Sequence, residues 1–254
     1  MDIKIVSSSD LDKPQNQSKR KERGMSKQTY TIGDKELPRV TTITKYFDFI
    51  PMSWPANEAV NFIEKNFHPD MDSDALTQLY SQARTAHERI SAEARELGSL
   101  VHEAIRAYLN GETPILSSEI EPMFNAFIEW EKEYQVKAIA TEKTVHSTRR
   151  GGYAGTLDLL CTLRKPRWHS PKGCVVDFKV SPRIYASAKP QISMYLYAVE
   201  EMYDTKIPHG AVLRFDKEKP GKTQFVMYDK GQMQLNFYKC LPLVEAYHVN
   251  KRKK

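Results

Sequence analysis

An apolar run in the second half of the chain, Cys174–Val180, contains two charged residues, Asp177 and Lys179. Side chains of a β-strand alternate between the two faces of its sheet, so the charged pair would share one face and the apolar residues the other. Burying charge within an apolar strand is costly unless the charge is paired or bound to a metal ion. The run therefore predicts a strand that presents an Asp–Lys pair, either as a structural ion pair or as part of a catalytic centre.

The preceding strand-like run, Tyr153–Leu163, carries one carboxylate, that of Asp158, among apolar residues. If the two runs pair as a hairpin, Asp158 comes near Asp177, and two carboxylates at one position repel unless a proton or a cation lies between them. Oxygen ligands suit Mg²⁺ or Mn²⁺. Such an ion would activate water and stabilise charge on a phosphate, while Lys179 orients the water or holds the phosphate. The alternative for Asp158 is a turn or capping residue.

Two flanking helices offer further candidates. Gln191 and Tyr195 are four residues apart, which places them on one face of a predicted helix. Upstream, Gly98–His102 puts a histidine within an apolar helix. The histidine is either an ordinary packed side chain or a further metal ligand.

A basic loop, residues 164–172, joins the two charged strands. Arg164, Lys165 and Arg167 stand beside one aromatic residue, Trp168, a mixture that suits phosphate contact and base stacking. An ordinary solvated hairpin loop is the alternative. The net charge of +6 and the pI of about 9.0 point the same way, to a polyanionic partner or to a solvated basic surface.

The three cysteines, Cys161, Cys174 and Cys240, are few and widely spaced. We therefore expect neither a disulfide framework nor a cysteine-rich zinc site, and an intracellular, reducing setting fits best. No stretch approaches the roughly 18–20 apolar residues of a membrane span, and residues 1–27 lack an apolar secretory core.

The spacing of apolar residues predicts helices in the first half of the chain and mostly strands in the second, an α/β fold with a mixed sheet. A short β-like run is predicted at Val40–Thr44. Helices are predicted at residues 56–67, 75–110, 117–135, 190–203 and 232–248, and the remaining strands at residues 136–145, 153–163, 173–180, 211–215 and 224–228.

Taken in order, Gly98…His102, Gly155–Asp158, Asp177–Lys179 and Gln191…Tyr195 resemble the RecB-type branch of the PD-(D/E)XK nucleases. The resemblance covers about residues 98–200. A second segment, Leu37–Ile43 followed by Trp54, is similar to the amino-terminal part of phage exonucleases and of the mitochondrial genome-maintenance exonuclease.

The resemblance implies His102, Asp158 and Asp177 as metal ligands, with the Phe178 carbonyl as a backbone ligand and Lys179 as the catalytic lysine. Supporting or DNA-contacting roles are implied for Ser99, Glu142, Gln191 and Tyr195. Relatives often follow the lysine with Thr-Gly, whereas this chain has Val180-Ser181. Iron–sulfur members of the branch need four cysteines, so with three we expect no cluster here.

The resemblance implies a restriction-endonuclease-like core, with a central mixed sheet flanked by helices and an N-terminal helical region. The expected division is a disordered leader (1–27, with Met25 as an alternative start), a strand and helical region carrying His102 (28–135), the nuclease core (136–250) and a basic tail (251–254).

The implied activity is that of a Mg²⁺- or Mn²⁺-dependent DNA exonuclease of phage or genome DNA processing, recombination or repair. We expect it to act in the cytoplasm (the host's, if the chain is of phage origin) on DNA that is single-stranded or has a free end. The long helical region, with cations to line a strand, favours the free end. A structure-specific endonuclease and a catalytically silent DNA-binding module remain alternatives.

Overall fold

The computed structural model describes residues 29–165 and 168–251. The predicted leader and the last three residues of the predicted basic tail lie outside the described residues. The chain divides into two units: one is Phe49–Leu100, and the other runs up to Asp48 and resumes at Val101.

A five-stranded mixed sheet forms the centre of the larger unit, and its strands lie side by side in chain order. Only the third and fourth strands of this sheet are parallel, and the other neighbours are antiparallel. The strands are β3 (Lys137–Ser147), β4 (Tyr153–Leu163), β5 (Lys172–Val180), β6 (His209–Phe215) and β7 (Thr223–Asp229), and a separate hairpin is formed by β1 (Thr29–Ile32) and β2 (Lys35–Pro38).

Seven α-helices occur in the part of the chain that the structure describes. They are α1 (Val40–Thr44), α2 (Trp54–Asn66), α3 (Ser73–Arg84), α4 (Ala86–Leu109), α5 (Glu121–Glu133), α6 (Ala188–Tyr203) and α7 (Lys230–Lys251). Among the described helices, none combines the length and the apolar character that crossing a bilayer requires.

Helix α6 joins the two parallel strands, which no tight turn can connect, and it is buried along most of its length. Helix α5 supplies aromatic contacts to the sheet: Phe127 packs edge-on against Phe178 of β5, and Trp130 packs against Phe225 of β7. Since the neighbouring residue Asp177 contacts α6 through Gln191, the side chains of β5 alternate between two helical layers. The predicted fold class, α/β with a central mixed sheet flanked by helices, is thus confirmed.

The unit Phe49–Leu100 is helical, built from α2, α3 and the first part of α4. Trp54 packs edge-on against His87, and the Arg89 guanidinium lies 4.8 Å from the centre of the Phe62 ring. The carboxylate of Asp72 caps the start of α3, because it accepts a hydrogen bond from the Ala75 N–H at 2.8 Å.

The predicted strand at Val40–Thr44 is wrong, because this segment is helix α1. The N–H groups of Thr42 and Ile43 both donate to the Arg39 carbonyl. Val40 and Ile43, three residues apart, are buried together. Burial at helical spacing overrides the strand preference of β-branched residues.

The single helix predicted at residues 75–110 is also wrong, since it is two helices that meet at Thr85. The Thr85 N–H and hydroxyl both bond to the Gln82 carbonyl, which ends α3, while the Thr85 carbonyl accepts the first bonds of α4. Apolar spacing continues across the junction, so periodicity alone could not reveal it. The other predicted elements agree with the structure to within a few residues.

Candidate active site

The hydrogen-bond ladder between β4 and β5 ends at the pair Leu159–Val176, just before the charged residues. Continued by one residue, this register would set Asp158 opposite Asp177. Beyond the end of the ladder, the Phe178 N–H instead donates to Asp158 Oδ2 at 2.7 Å. The carboxylate therefore satisfies a backbone donor at the ladder's end, and this bond fixes its position.

The Asp177 carboxylate is almost completely buried and is held from α6. Gln191 Nε2 donates to Asp177 Oδ1 at 2.9 Å, and Lys179 Nζ donates to Gln191 Oε1 at 3.1 Å. The same Nζ forms an ion pair with Asp177 Oδ2 at 2.8 Å. Gln191 Nε2 is also 3.3 Å from the Tyr195 hydroxyl. The four residues that sequence grouped as two pairs thus form one connected cluster.

A second cluster lies on the other side of Asp158. His102 Nε2 donates to the Phe178 carbonyl at 3.1 Å, while its Nδ1 faces Asp158 Oδ1 at 3.5 Å and Glu142 Oε1 at 4.0 Å. One ligand atom from each of His102, Glu142 and Asp158 lies within 4.8 Å of the others, an arrangement that could hold a metal ion. The Asp177 carboxylate lies outside this group of three.

The donor set fits a divalent cation of the Mg²⁺ or Mn²⁺ type, since it combines carboxylate oxygens with one imidazole nitrogen. Asp177 Oδ2 is buried and has the Lys179 ammonium as its charged partner at 2.8 Å.

Glu142, one of these three residues, has an unusual backbone conformation. It lies within β3 but has a φ of 47°, in the left-handed region that residues other than glycine rarely adopt. The register continues on both sides, with Thr141 opposite Leu159 and Lys143 opposite Leu157. Such strain tends to occur at functional positions, where the surrounding structure maintains it.

The charges of the two clusters influence one another. Burial would lower the pKa of His102, but the Asp158 carboxylate outweighs it and raises the pKa to about 9. Burial raises the pKa of Asp177 to about 6, and Asp158 adds to that rise while Lys179 opposes it. Burial would lower the pKa of Lys179, but the carboxylates of Asp177, Asp158 and Asp48 together raise it. The imidazolium of His102 therefore supplies positive charge between carboxylates.

Gly155, three residues before Asp158, is required for packing. A Cβ at this position would come within 2.6 Å of the Tyr195 ring and 3.1 Å of Val40 Cγ2. The absent side chain lets Tyr195 lie directly on β4, and Tyr195 in turn positions Gln191. The glycine of the motif thus connects the strand to the side chains that hold Asp177.

The remaining predicted residues are placed as follows. Ser99 belongs to the unit Phe49–Leu100, where its hydroxyl donates to the Arg95 carbonyl. In the basic loop, the Arg164 N–H donates to the Tyr134 carbonyl, the Lys165 carbonyl accepts from the Trp168 N–H, and the Trp168 ring stacks on His209 with the Lys172 ammonium over it. Arg167 lies outside the described residues.

Two residues near the site were not predicted. Arg214 donates to the carbonyls of Ser181 and Pro182 at 2.8 and 3.1 Å, and so anchors the loop that follows β5. Arg214 is a buried cation in a mostly apolar strand. This pattern, like that of Asp177, could have identified it from the sequence. Asp48 carries no such signal, because it lies outside any regular strand or helix and far away in sequence.

No protein-family model matches the chain, and no curated protein matches it. Among solved structures it is similar to a protein from Eubacterium rectale to which exonuclease activity is attributed, at 14% identity and a TM-score of 0.40 over 61% of this chain and 65% of that one. It is also similar to SSO0001 (12% identity, TM-score 0.34, 81% and 75% covered). A third similar structure is the alkaline exonuclease LHK-Exo from Laribacter hongkongensis (12% identity, TM-score 0.33, 80% and 97% covered). This chain therefore spans just under two thirds of the Eubacterium rectale chain.

The His102–Asp158 interaction predicts a titration visible by NMR. Without metal, the imidazole C–H signals of His102 should titrate with a midpoint near pH 9, well above the ordinary 6.5. In Asp158→Asn the midpoint should fall well below that of the parent, because burial and the Lys179 ammonium still lower the pKa while the main opposing carboxylate is gone. His146, whose pKa is lowered by burial, should keep its midpoint and serves as the control.

The pKa of His102 is higher in the folded protein than in the unfolded chain. The contribution of the His102–Asp158 pair to stability is therefore complete below about pH 6.5 and is lost as the pH rises through 9. An unchanged His102 midpoint in Asp158→Asn would contradict this assignment.

The left-handed backbone at Glu142 predicts that glycine is more stabilising than alanine at this position, the reverse of the usual order in a strand. Glu142→Gly and Glu142→Ala remove the same carboxylate, but only glycine adopts a φ of 47° without strain, so the glycine variant should be the more stable by about 1 kcal/mol. At neighbouring Lys143 the order should be reversed, with glycine less stable than alanine by roughly 0.5–1 kcal/mol. Urea unfolding of the four variants measures both differences. The same order at both positions would show that Glu142 is unstrained.

Proposed function

We propose that this chain is a divalent-metal-dependent DNA nuclease, acting as an exonuclease that hydrolyses phosphodiester bonds from DNA ends. The observation that carries the proposal is the convergence of His102, Glu142 and Asp158 beside the buried Asp177–Lys179 pair. A structural ion pair alone would account for the last two residues, but it would not account for two further potential ligands, His102 and Glu142, around the adjacent Asp158 carboxylate.

In this proposal His102, Glu142, Asp158 and Asp177 hold Mg²⁺ or Mn²⁺, with the Phe178 carbonyl as a backbone ligand. When bound, the ion would lower the pKa of a coordinated water and stabilise negative charge on the phosphate. The Phe178 N–H keeps the Asp158 carboxylate in place for this role, since it donates to Oδ2 and leaves Oδ1 facing His102.

Lys179 would act by position and charge. Its ammonium is held between Asp177 Oδ2 and Gln191 Oε1, yet the side chain is still 28% exposed and can meet a substrate phosphate or a water. The neighbouring carboxylates raise the pKa of this lysine against the effect of burial, which keeps it a hydrogen-bond donor. A fixed donor aimed at developing charge is the arrangement that stabilises a transition state most efficiently.

The choice of DNA and of ends rests on the sequence. The net charge of +6 suits a polyanion, and the resemblance of the motifs to RecB-type nucleases and phage exonucleases favours a free DNA end. We propose a role in phage or genome DNA processing, recombination or repair on the same basis.

The metal site predicts which substitutions abolish cleavage. Asp158→Asn, Asp177→Asn and Lys179→Ala should each reduce the rate on end-labelled DNA with Mg²⁺ by at least roughly 10²–10³-fold, because each removes a group that stabilises charge in the transition state. EDTA should stop cleavage by the parent. Glu245→Gln is the matched control, because this exposed carboxylate pairs with Arg150 at the surface. Cleavage by Asp177→Asn at the parent rate, with parent-like thermal unfolding, would refute the site.

The requirement for an end is a separate prediction. Linear single-stranded DNA should be degraded to short products, whereas a covalently closed circle of the same sequence should persist, because an exonuclease needs a terminus. Both substrates are compared at equal nucleotide concentration by gel electrophoresis. Equal loss of the circle would favour a structure-specific endonuclease and leave the metal site as proposed. Failure of the parent to cut either substrate while binding both would favour a catalytically silent DNA-binding module.

A further inference from the structure

Two short segments of the larger unit are joined beside the candidate site. One is the 3-10 turn Lys45–Phe47 with Asp48, and the other is the loop of residues 181–187 that follows β5. Asp48 Oδ1 accepts a hydrogen bond from the Ser187 N–H at 2.8 Å. The same carboxylate is close enough to Lys179 to contribute to its raised pKa. The joined segments therefore adjoin the proposed catalytic lysine.

The loop after β5 is held in a defined conformation. Arg214 donates to the carbonyls of Ser181 and Pro182, and the Ser181 hydroxyl donates to the Arg183 carbonyl at 2.8 Å. Ile184 packs against the hydrophobic core. With its first residues bonded and one side chain anchored, the loop presents its outward side chains from a fixed position.

Both segments repeat one arrangement of side chains. In the turn, Phe47 packs against the core while Tyr46 is 68% exposed, with the Lys45 ammonium 5.3 Å from its ring centre. In the loop, Tyr185 is 41% exposed, with the Arg183 guanidinium 5.1 Å from its ring centre. Each segment thus combines an inward apolar anchor with an outward tyrosine and a cation.

We propose that Tyr46 and Tyr185 form a stacking surface for unpaired bases of a single DNA strand whose phosphates pass Lys45 and Arg183. A single strand alternates a flat aromatic base with a negative phosphate, and each segment offers the matching pair of groups, an aromatic face and a cation. Stacking on an aromatic ring is available to every base, so this surface binds without reading sequence. The proposal rests on the proposed function, because it supplies the strand that the neighbouring site would cut.

The test compares two strands that differ only in their bases. Binding of a fluorescent thymidine 15-mer and of an abasic strand of equal length is measured by anisotropy in EDTA, where metal-dependent cleavage is prevented. The double variant Tyr46→Ala/Tyr185→Ala should bind the thymidine strand at least about ten-fold more weakly, because the bases then have no aromatic ring on which to stack. Its affinity for the abasic strand should be unchanged.

Further variants separate stacking from general effects. Tyr238→Ala removes a tyrosine of α7 whose exposure, 54%, lies between those of Tyr46 and Tyr185, and it should bind both strands as the parent does. Lys45→Ala/Arg183→Ala should weaken binding to both strands and reduce the slope of log affinity against log salt by about 0.7 for each phosphate that the protein no longer neutralises. Thermal unfolding of each variant shows that the fold is retained.

The outcomes distinguish this proposal from the proposed function. If the parent cuts DNA with Mg²⁺ but Tyr46→Ala/Tyr185→Ala keeps its preference for the thymidine strand, the stacking surface is refuted and the nuclease proposal stands. Equal weakening on both strands would also overturn it, since the tyrosines would then act on the backbone. A parent that neither cuts nor binds DNA overturns both proposals.

Discussion

The hydrogen bond from the Phe178 N–H to Asp158 positions the central carboxylate of the candidate site. It stands at the end of the β4–β5 ladder, where the two strands cease to pair. Had the ladder continued, this N–H would have been occupied by a strand carbonyl and the Asp158 carboxylate would have needed another partner. The bond instead holds the carboxylate between Asp177 on one side and His102 on the other.

The two faces of the sheet supply different parts of the site. Helix α6 lies against the Asp177 side and contributes Gln191 and Tyr195, whereas α4 contributes His102, whose ring also packs edge-on against Phe178. Such a two-sided arrangement requires a strand buried on both faces, which is the environment that parallel pairing and a crossover helix produce. The candidate site is therefore a consequence of the mixed sheet topology, and Gly155 is one position at which the close packing of strand and helix is evident.

The sequence was sufficient to predict those elements in which periodicity and burial agree. The strands carrying Asp158 and Asp177 and the helix carrying Gln191 are examples, since their apolar spacing and their charged exceptions both survive in the fold. Val40–Thr44 shows the opposite case, where β-branched residues favoured a strand and tertiary burial made a helix. The left-handed backbone of Glu142 could not be predicted either, because nothing in a Thr-Glu-Lys sequence requires a positive φ. Asp48 was missed because its hydrogen bond with Ser187 spans 139 positions, and no local pattern encodes such a pairing.

The His102–Asp158 contact affects the electrostatic balance of the candidate site when no metal ion is bound. Clustered carboxylates usually destabilise an empty metal site through mutual repulsion, so that folding waits for the ion. Here an imidazolium inside the cluster acts as an internal counter-ion. This positive charge offsets part of the repulsion between the carboxylates in the absence of a metal ion. If the proposed site binds a divalent cation through the His102 imidazole, the ring would first have to release a proton, so binding would exchange one cation for another.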